Sequence, residues 1–166
     1  EVCAGVDLQL DGNPSGGTGT YDTHLWTGPG AAFVEPDNEQ VTVFNTSAAG
    51  VYDLTYTVTD NNGCIGTDAI QITVFPLPTV TCPADTIVCE DADRIDLTTL
   101  VPAANPAGGT FIGLNVSGGF FDVDGAGVGS YEIIYEYEDI NGCTNTCTFN
   151  ITVFDIPSAP QLNKVP

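Results

Sequence analysis

An internal repeat constrains what this chain can fold into more than any other feature of its sequence. Residues 52–64 return 79 residues later as 131–143, and residues 72–75 return at the same distance as 151–154. A match that keeps one offset across 24 aligned positions indicates two homologous units in tandem, each about 79 residues long. The sequence therefore predicts one structural plan used twice.

Two prolines mark the boundary between these units. Pro76 and Pro78 follow the first unit directly; neither can donate a ladder hydrogen bond, and both stiffen the chain toward an extended form. Joining the end of the chain to residues 1–2 would recreate a linker of nearly the same length. The predicted organisation has four parts: a first domain over 1–75, a linker over 76–80, a second domain over 81–156, and a segment over 157–166 that is either a linker or the first strand feeding the next repeat.

The periodicity within each unit is that of β-strands. Tyr52, Leu54 and Tyr56 alternate with polar residues, and the same alternation recurs around Ile133 and Tyr135. The sequence Asp-Asn-Asn-Gly at 60–63 suits the turn of a hairpin, because it combines side-chain acceptors with a residue that tolerates positive φ. The predicted fold class is therefore all-β, with two tandem immunoglobulin-like (Ig-like) antiparallel β-sandwich domains.

The charge balance excludes several classes of function. The chain has 22 acidic residues and 2 basic ones, which gives a formal net charge of −20. Nucleic acid and anionic lipid both attract clustered Lys and Arg, so neither is an expected partner. No apolar run approaches the ~18 residues of a membrane-spanning helix, so membrane insertion is not expected. With His24 as its one histidine, the chain is predicted to have no catalytic residues and no enzymatic activity.

Six cysteines indicate disulfide bonds and an extracellular, oxidising compartment. Cys64 and Cys143 are equivalent by the repeat, and Cys3 and Cys89 each precede a similar strand. Equivalent positions in homologous domains are expected to bond alike, which leaves one additional bond within the second unit. The predicted pairs are Cys3–Cys64, Cys89–Cys143 and Cys82–Cys147. Zinc is the alternative, but no second close pair of cysteines or nearby histidine completes a tetrahedral site.

Clusters of acidic residues are candidate ligands for calcium, which prefers oxygen atoms supplied by loops. The speculative ligands are Glu90, Asp91, Asp93, Asp122 and Asp124, together with the hairpin acids Asp60 and Asp139. None of these sets matches an EF-hand or the Gly-rich nonapeptide pattern, and an acidic face is commonly only solvated. Calcium binding is therefore one interpretation of these residues, and no cofactor is required.

The order of short motifs in the second unit resembles that of a known family. The motifs are Thr-Cys-Pro-Ala-Asp at 81–85, Cys-Glu-Asp at 89–91, Pro-Ala-Gly-Gly-Thr-Phe at 106–111, Ala-Gly-Val-Gly-Ser-Tyr at 126–131 and Asp-Ile-Asn-Gly-Cys-Thr-Asn-Thr-Cys at 139–147. Together they are similar to the Ig-like or PKD-like tandem repeats of large Bacteroidota cell-surface adhesins, SprB-type gliding-motility adhesins among them. The resemblance covers nearly all of the second unit, and the first unit is similar to a sister repeat.

This resemblance implies type IX secretion, display on the cell surface and no catalytic residues. The tripeptide Asp-Thr-Ile at 85–87 is similar to the acceptor of Bacteroidota O-glycosylation, which makes Thr86 a speculative glycosylation site. The implied function is that of a structural or adhesive rod segment in a surface-displayed repeat protein or an extracellular filament. Its expected partners are neighbouring copies of the same repeat, head to tail, and surface polysaccharide.

An alternative function is that of a carbohydrate- or calcium-dependent binding module attached to a secreted protein. Sugar recognition needs exposed aromatic side chains, and Trp26, Tyr21, Phe120 and Phe121 are the candidates. Large aromatic residues more commonly fill a core, so Trp26 is expected to be buried. Burial of Trp26 would argue against the carbohydrate interpretation.

Overall fold

The computed structural model of the protein describes residues 1–102, 106 and 108–160, which form two compact units. The first unit comprises Glu1–Leu77 and Ile140–Cys143, and the second comprises Pro78–Asp139 and the described chain from Thr144 onward. Both units consist mainly of β-strands, so the predicted all-β class is correct. Among the described residues, no helix is long and apolar enough to cross a membrane.

The finer domain bounds, 1–75 and 81–156, stay a prediction. The grouping of Ile140–Cys143 with the first unit is not anticipated by the sequence, because these residues lie inside the second repeat. Within the predicted terminal segment 157–166, residues 157–160 have no regular secondary structure, and 161–166 lie outside the described residues. The idea that this segment feeds another repeat therefore also stays a prediction.

The first unit contains two sheets. Its strands are β1 (Val2–Cys3), β2 (Leu8–Asp11), β3 (Tyr21–Thr27), β4 (Val34–Glu35), β5 (Val41–Phe44), β6 (Gly50–Asp60) and β7 (Ile65–Phe75). One sheet has the order β1-β7-β6-β3, and the other has the order β2-β5-β4. The long β6–β7 hairpin keeps one register from Gly50 opposite Val74 to Thr59 opposite Ile65. This hairpin is the longest paired element of the unit.

Side chains from both sheets form the core of the first unit. Leu54 and Tyr56 of β6 face inward as the alternation predicts, and Leu10 and Phe44 of the other sheet pack with them in one buried cluster. Burial of apolar surface between two sheets is what stabilises this arrangement. The same alternation in the next strand, Ile70, Ile72 and Val74, predicts an inward Ile70, yet 48% of its surface is exposed, and the first seven residues of β7 are all exposed.

The second unit also contains two sheets. Its strands are β8 (Thr86–Cys89), β9 (Ile95–Asp96), β10 (Thr110–Gly113), β11 (Val116–Ser117), β12 (Phe120–Phe121), β13 (Gly129–Glu138) and β14 (Thr144–Phe154). The sheet orders are β10-β13-β14-β8 and β11-β12-β9. One short helix, α1 (Val123–Ala126), precedes β13. The buried core consists of Leu97, Phe121, Val123, Ile133, Phe149, Ile151 and Val153.

The repeat seen in the sequence is also a repeat of strand register. Strands β7 and β14 begin and end 79 residues apart, and each pairs with a parallel first strand of its unit. Cys3 lies opposite Phe75, and Cys89 lies opposite Phe154. One parallel strand pair in each unit is therefore an exception to the predicted antiparallel arrangement. The first strand of each unit therefore lies beside its last strand, and the two run in the same direction.

A tyrosine fastens the start of the long hairpin in both units. The Tyr52 hydroxyl donates to the carbonyl oxygen of Ala48 at 2.8 Å, four residues upstream. Its equivalent, Tyr131, donates to the carbonyl oxygens of Ala126 and Gly127. A tyrosine that bonds back to the backbone at the corner before a long strand is typical of immunoglobulin-type sandwiches. The two units therefore share a local device as well as a strand order.

Candidate functional site

The six cysteines form two disulfides and two free thiols. The bonds are Cys3–Cys143 and Cys82–Cys147, each with Cα atoms 5.5 Å apart. Cys64 and Cys89 are free and exposed. The bond between Cys82 and Cys147 is the one that the sequence analysis expected. The predicted pairs Cys3–Cys64 and Cys89–Cys143 are wrong.

The length of β7 forbids the predicted bond within the first unit. Cys3 lies opposite Phe75, the last residue of β7, whereas Cys64 directly precedes Ile65, the first residue of that strand. A strand rises about 3.3 Å per residue, so the two ends of β7 are about 33 Å apart. A disulfide requires Cα atoms within about 7 Å of each other. Cys3 and Cys64 are therefore at opposite ends of the sheet.

The same distance separates the predicted pair of the second unit. Cys89 lies opposite Phe154 at the end of β14, and Cys143 directly precedes Thr144 at its start. The predicted equivalence of Cys89 with Cys3 agrees with the register, because each lies opposite the last residue of the hairpin. The error lies in the assumption that equivalent cysteines pair within one repeat.

The bond between Cys3 and Cys143 lies within the first unit, to which Ile140–Cys143 belongs. These four residues follow β13 and precede β14 in the chain. Cys143 is fully buried, whereas its equivalent in the first repeat, Cys64, is exposed. One position of the repeat is thus buried where it is bonded and accessible where it is free.

The other disulfide belongs to a set of contacts along β14. The Asn145 side-chain amide donates to the carbonyl oxygen of Pro78 at 2.9 Å, and the backbone N–H of Asn150 donates to the Asp85 carboxylate at 2.7 Å. The Cys82–Cys147 bond lies between these two contacts in the sequence. The segment before β8 therefore runs along the outer edge of β14.

A network of hydrogen bonds to Asp60 holds the loop that carries Cys64. The Asp60 side chain is buried and accepts the backbone N–H groups of Cys64 at 2.9 Å, Asn62 at 3.0 Å and Thr18 at 3.3 Å. The hydrogen bond from the Cys64 N–H is the main reason that the pKa of Asp60 lies below its usual value of 3.8. Asp60 thus fixes the backbone conformation of the turn.

Backbone hydrogen bonds also hold Cys89 in place. It is the last residue of β8, and the next residue, Glu90, donates its N–H to the carbonyl oxygen of Phe154 at 2.9 Å. The backbone N–H of Ala92 donates to the Cys89 carbonyl oxygen at 3.0 Å. Both free thiols are thus presented on hydrogen-bonded backbone. Such groups can take part in thiol–disulfide exchange, in which a thiolate attacks a disulfide sulfur.

The predicted calcium ligands do not come together. No group of three or more His, Cys, Asp or Glu side chains within the described residues is arranged to hold a metal ion. Asp122 instead caps α1 by accepting the Gly125 N–H at 3.2 Å, and Asp124 is exposed in that helix. The remaining predicted ligands of the second unit are Glu90, Asp91 and Asp93, which follow β8, and Asp139, which follows β13. Asp60 accepts backbone hydrogen bonds in the turn before β7. Calcium binding stays a prediction.

The candidate aromatic residues do not form an exposed platform. Trp26 is only 4% exposed, and its indole N–H donates to the carbonyl oxygen of Glu39 at 2.9 Å. Phe121 is fully buried, and the Arg94 guanidinium lies 4.2 Å from the centre of the Phe120 ring. Tyr21 is half-buried and donates its hydroxyl to the backbone. The expectation that Trp26 is a core residue is correct.

The predicted glycosylation site, Thr86, begins β8 and is partly exposed. Its hydroxyl donates to the Ala84 carbonyl oxygen at 3.3 Å. Its glycosylation stays a prediction.

One concave region of about 660 Å³ is lined by Ala31, Ala32, Val34, Glu35, Pro36 and Asp37. This lining includes the carboxylates of Glu35 and Asp37.

Comparison with known proteins gives distant similarities. No protein-family model matches the chain. The pesticidal crystal protein Cry22Aa of Bacillus thuringiensis is 32% identical over 122 residues, which cover 72% of this chain and 17% of that protein. Among solved structures, the mixed-linkage glucan utilization locus SGBP-B of Bacteroides ovatus, in complex with a mixed-linkage heptasaccharide, has a TM-score of 0.33 and 14% identity. That match covers 91% of this chain and 42% of the other.

Proposed function

We propose that this chain is a load-bearing structural or adhesive segment of a secreted, surface-displayed repeat protein. The observation that carries the proposal is the disulfide between Cys3 and Cys143, whose partners are separated by 140 positions in the sequence. Tension applied to the two chain ends passes along residues 1–3, through the sulfur atoms, and on from residue 143. Residues 4–142 lie outside this covalent path and are not stretched while the bond is intact.

Two further features support a mechanical role. The bond between Cys82 and Cys147 closes a second loop, with a sequence separation of 65, inside the second unit. In each unit the first strand is parallel to the last, β1 to β7 and β8 to β14. These strands carry load only once the bond between Cys3 and Cys143 is broken, and a force that then pulls them toward their opposite ends loads all of their hydrogen bonds together rather than one after another. Parallel end strands therefore resist separation better than an antiparallel hairpin that opens from its ends.

Disulfide bonds also support an extracellular location. They persist in secreted and surface proteins, whereas the cytosol keeps most thiols reduced. The repeat, the paired two-sheet units and the tyrosine corners agree with tandem Ig-like domains of the kind found in Bacteroidota adhesin arrays, and membership of that class, with type IX export and no catalytic activity, is part of the proposal. The net charge of −20 favours solubility of a densely displayed protein.

Force spectroscopy on single molecules held by their two ends tests this proposal. In the oxidised protein, we expect only a short extension before the chain becomes taut. Reduction with dithiothreitol releases residues 4–142, so the contour length should increase by about 480 Å at about 3.4 Å per residue. An oxidised chain that extends by the full length would contradict the proposal.

Two double variants identify the bond that carries the load. Cys82→Ser with Cys147→Ser leaves the Cys3–Cys143 bond intact, so the oxidised variant should stay as short as the parent protein. Cys3→Ser with Cys143→Ser leaves the smaller loop, so the oxidised variant should lengthen by only about 250 Å. A reversed order of these two lengths would assign the load to the other disulfide.

The alternative, a carbohydrate-binding module, has less support. The glucan ligand named above belongs to the other protein, and the structural similarity to it is too low to carry an argument here. The side chains that would have to contact a sugar are mainly occupied in the core, as the 4% exposure of Trp26 illustrates. Isothermal titration with mixed-linkage glucan oligosaccharides would revive the alternative if it gave saturable heat.

A further inference from the structure

Two free cysteines occupy positions of the repeat whose counterparts are bonded to each other. Cys89 is the counterpart of Cys3, and Cys64 is the counterpart of Cys143. Cys3 and Cys143 form a disulfide, while Cys64 and Cys89 are free and exposed. We propose that Cys89 of one copy of this chain forms a disulfide with Cys64 of a second copy. This inference deepens the proposed function, on which it rests.

The order of the bonded pair along the chain favours a bond between copies. In the observed bond, a strand cysteine joins the turn cysteine of the following repeat, 140 residues later. The described chain has no turn cysteine of that kind after Cys143, and Cys64 lies before Cys89 rather than after it. Among the described residues Cys64 is the free turn cysteine, so we assign the strand-to-turn pairing of Cys89 to Cys64 of a second copy.

Exposed apolar side chains flank both free thiols. Ile65, next to Cys64, is 69% exposed, and Ile87, two residues before Cys89, is 71% exposed. Isolated exposed isoleucines are common, but here one lies beside each proposed bonding partner. Contact between these side chains in the linked state would remove apolar surface from water, and it would favour this pairing over random collisions.

The strand that follows Cys64 is exposed over its first seven residues. In the second unit, residues 78–85 bond to β14 at Asn145, Cys147 and Asn150. The equivalent stretch of β7, residues 65–71, is exposed throughout. The proposed disulfide with Cys89 of a second copy would place that copy beside this exposed stretch.

The chemistry requires an oxidant, and a small-molecule disulfide such as oxidised glutathione supplies it. A thiolate of Cys64 or Cys89 attacks the glutathione disulfide, one glutathione thiolate leaves, and a mixed disulfide forms. The thiolate of the partner copy then attacks the protein sulfur of that mixed disulfide and releases the second glutathione. Overall, two protein thiols lose two electrons and two protons, and one oxidised glutathione becomes two reduced molecules.

Two single variants make the pairing measurable. Cys64→Ser retains only the Cys89 thiol, and Cys89→Ser retains only the Cys64 thiol, while both native disulfides stay intact. An equimolar mixture, with one variant labelled with nitrogen-15, is incubated in a glutathione redox buffer at pH 8. Intact mass spectrometry under non-reducing conditions then counts mixed and like-with-like dimers. Peptide mapping identifies the bonded cysteines.

The proposal predicts that mixed dimers, with Cys64 bonded to Cys89, exceed like-with-like dimers by at least fivefold. Random pairing of two equally reactive thiols would make mixed dimers about half of the total, and that result would overturn the proposal. An excess of like-with-like dimers would do so too, as would a final state that contains only glutathione adducts. The unmodified protein should form a ladder of oligomers, because each copy carries one thiol of each kind and the contact is heterologous.

Salt dependence adds a second readout. Each copy carries a net charge of −20, so two copies repel one another at low ionic strength. We expect the rate of mixed dimer formation to rise severalfold between 10 and 300 mM sodium chloride, conditions that shorten the Debye length from about 30 Å to below 10 Å. Statistical pairing would overturn this inference and leave the load-bearing function intact, because that function depends on the bond between Cys3 and Cys143.

Discussion

The two units follow one plan but stabilise it differently. In the first, an aromatic group lies beside the long hairpin: the rings of Trp26 and Tyr56 have centres 4.7 Å apart, and the His24 ring stacks with Tyr56 with centres 6.0 Å apart. In the second, the equivalent place holds Phe111 against Tyr135, with centres 5.0 Å apart. There the Cys82–Cys147 disulfide also holds the hairpin strand β14, whereas the disulfide of the first unit, Cys3–Cys143, involves neither β6 nor β7.

The difference shows that a hairpin of one register can be stabilised mainly by aromatic packing or by a disulfide bond. At the position of Cys147 in β14, the first repeat has Asp68, which cannot form a disulfide bond. A disulfide stabilises mainly by restricting the unfolded chain, whereas aromatic packing stabilises the folded state by removing apolar surface from water. The two units should therefore respond to different perturbations.

The largest expected effect is that of Trp26→Ala. Removing a buried indole should cost the first unit about 3–5 kcal/mol of unfolding free energy, because it leaves a cavity beside Tyr56. The matched change, Phe111→Ala, should cost the second unit about half as much, because Phe111 is only partly buried. Hydrogen exchange of β6–β7 and of β13–β14, followed in urea by mass spectrometry, reports each unit separately. Equal losses in the two units would contradict the comparison.

Next in size is the removal of the second unit's own disulfide. Cys82→Ser with Cys147→Ser should cost about 2–4 kcal/mol, because the unfolded chain regains the freedom of a loop with a sequence separation of 65. The loss should appear in the exchange of β13–β14. Fluorescence of Trp26, the one tryptophan, reports the first unit and should keep its midpoint. If the tryptophan transition shifts as much as that of β13–β14, the Cys82–Cys147 disulfide stabilises both units rather than the second alone.

The smallest expected effect is a pH dependence that comes from Asp60. Its pKa lies below 3.8, chiefly because the Cys64 N–H donates to it, so its ionised form stabilises the folded state. This contribution is fully present above the unfolded pKa and is lost as the pH falls through the lower, folded pKa. Asp60→Asn should therefore unfold more easily than the parent at pH 6 and approach it in acid.

Thermal denaturation between pH 2 and 6 measures the Asp60 effect. Asp22→Asn is the control, because Asp22 is exposed on β3 and the change removes the same charge. A constant difference between Asp60→Asn and the parent at every pH would mean that the carboxylate does not stabilise the turn in its ionised form.

Much of the fold is predictable from the chain because its cause is local. Alternation of Leu54 and Tyr56 with polar residues identifies a strand with one buried face, and the Asp-Asn-Asn-Gly turn identifies the hairpin. Ile70 is a failure of the same rule, since alternation states which residues share a face but not which of them is covered. The covering of β14 by residues 78–85 likewise gives no periodic signal.

The sequence by itself determined that the chain is a β-protein built twice on one plan. Cys64 corresponds to Cys143 at the constant offset of 79 residues, and Cys3 corresponds to Cys89 because each precedes a similar strand. Only the tertiary structure decided which cysteines bond. The equivalence of two cysteines does not determine which other cysteine each one is close to. A strand of eleven residues separates the two members of each predicted pair, Cys3 from Cys64 and Cys89 from Cys143. Pairing depends on Cα atoms being a few ångströms apart, which is a property of the folded chain.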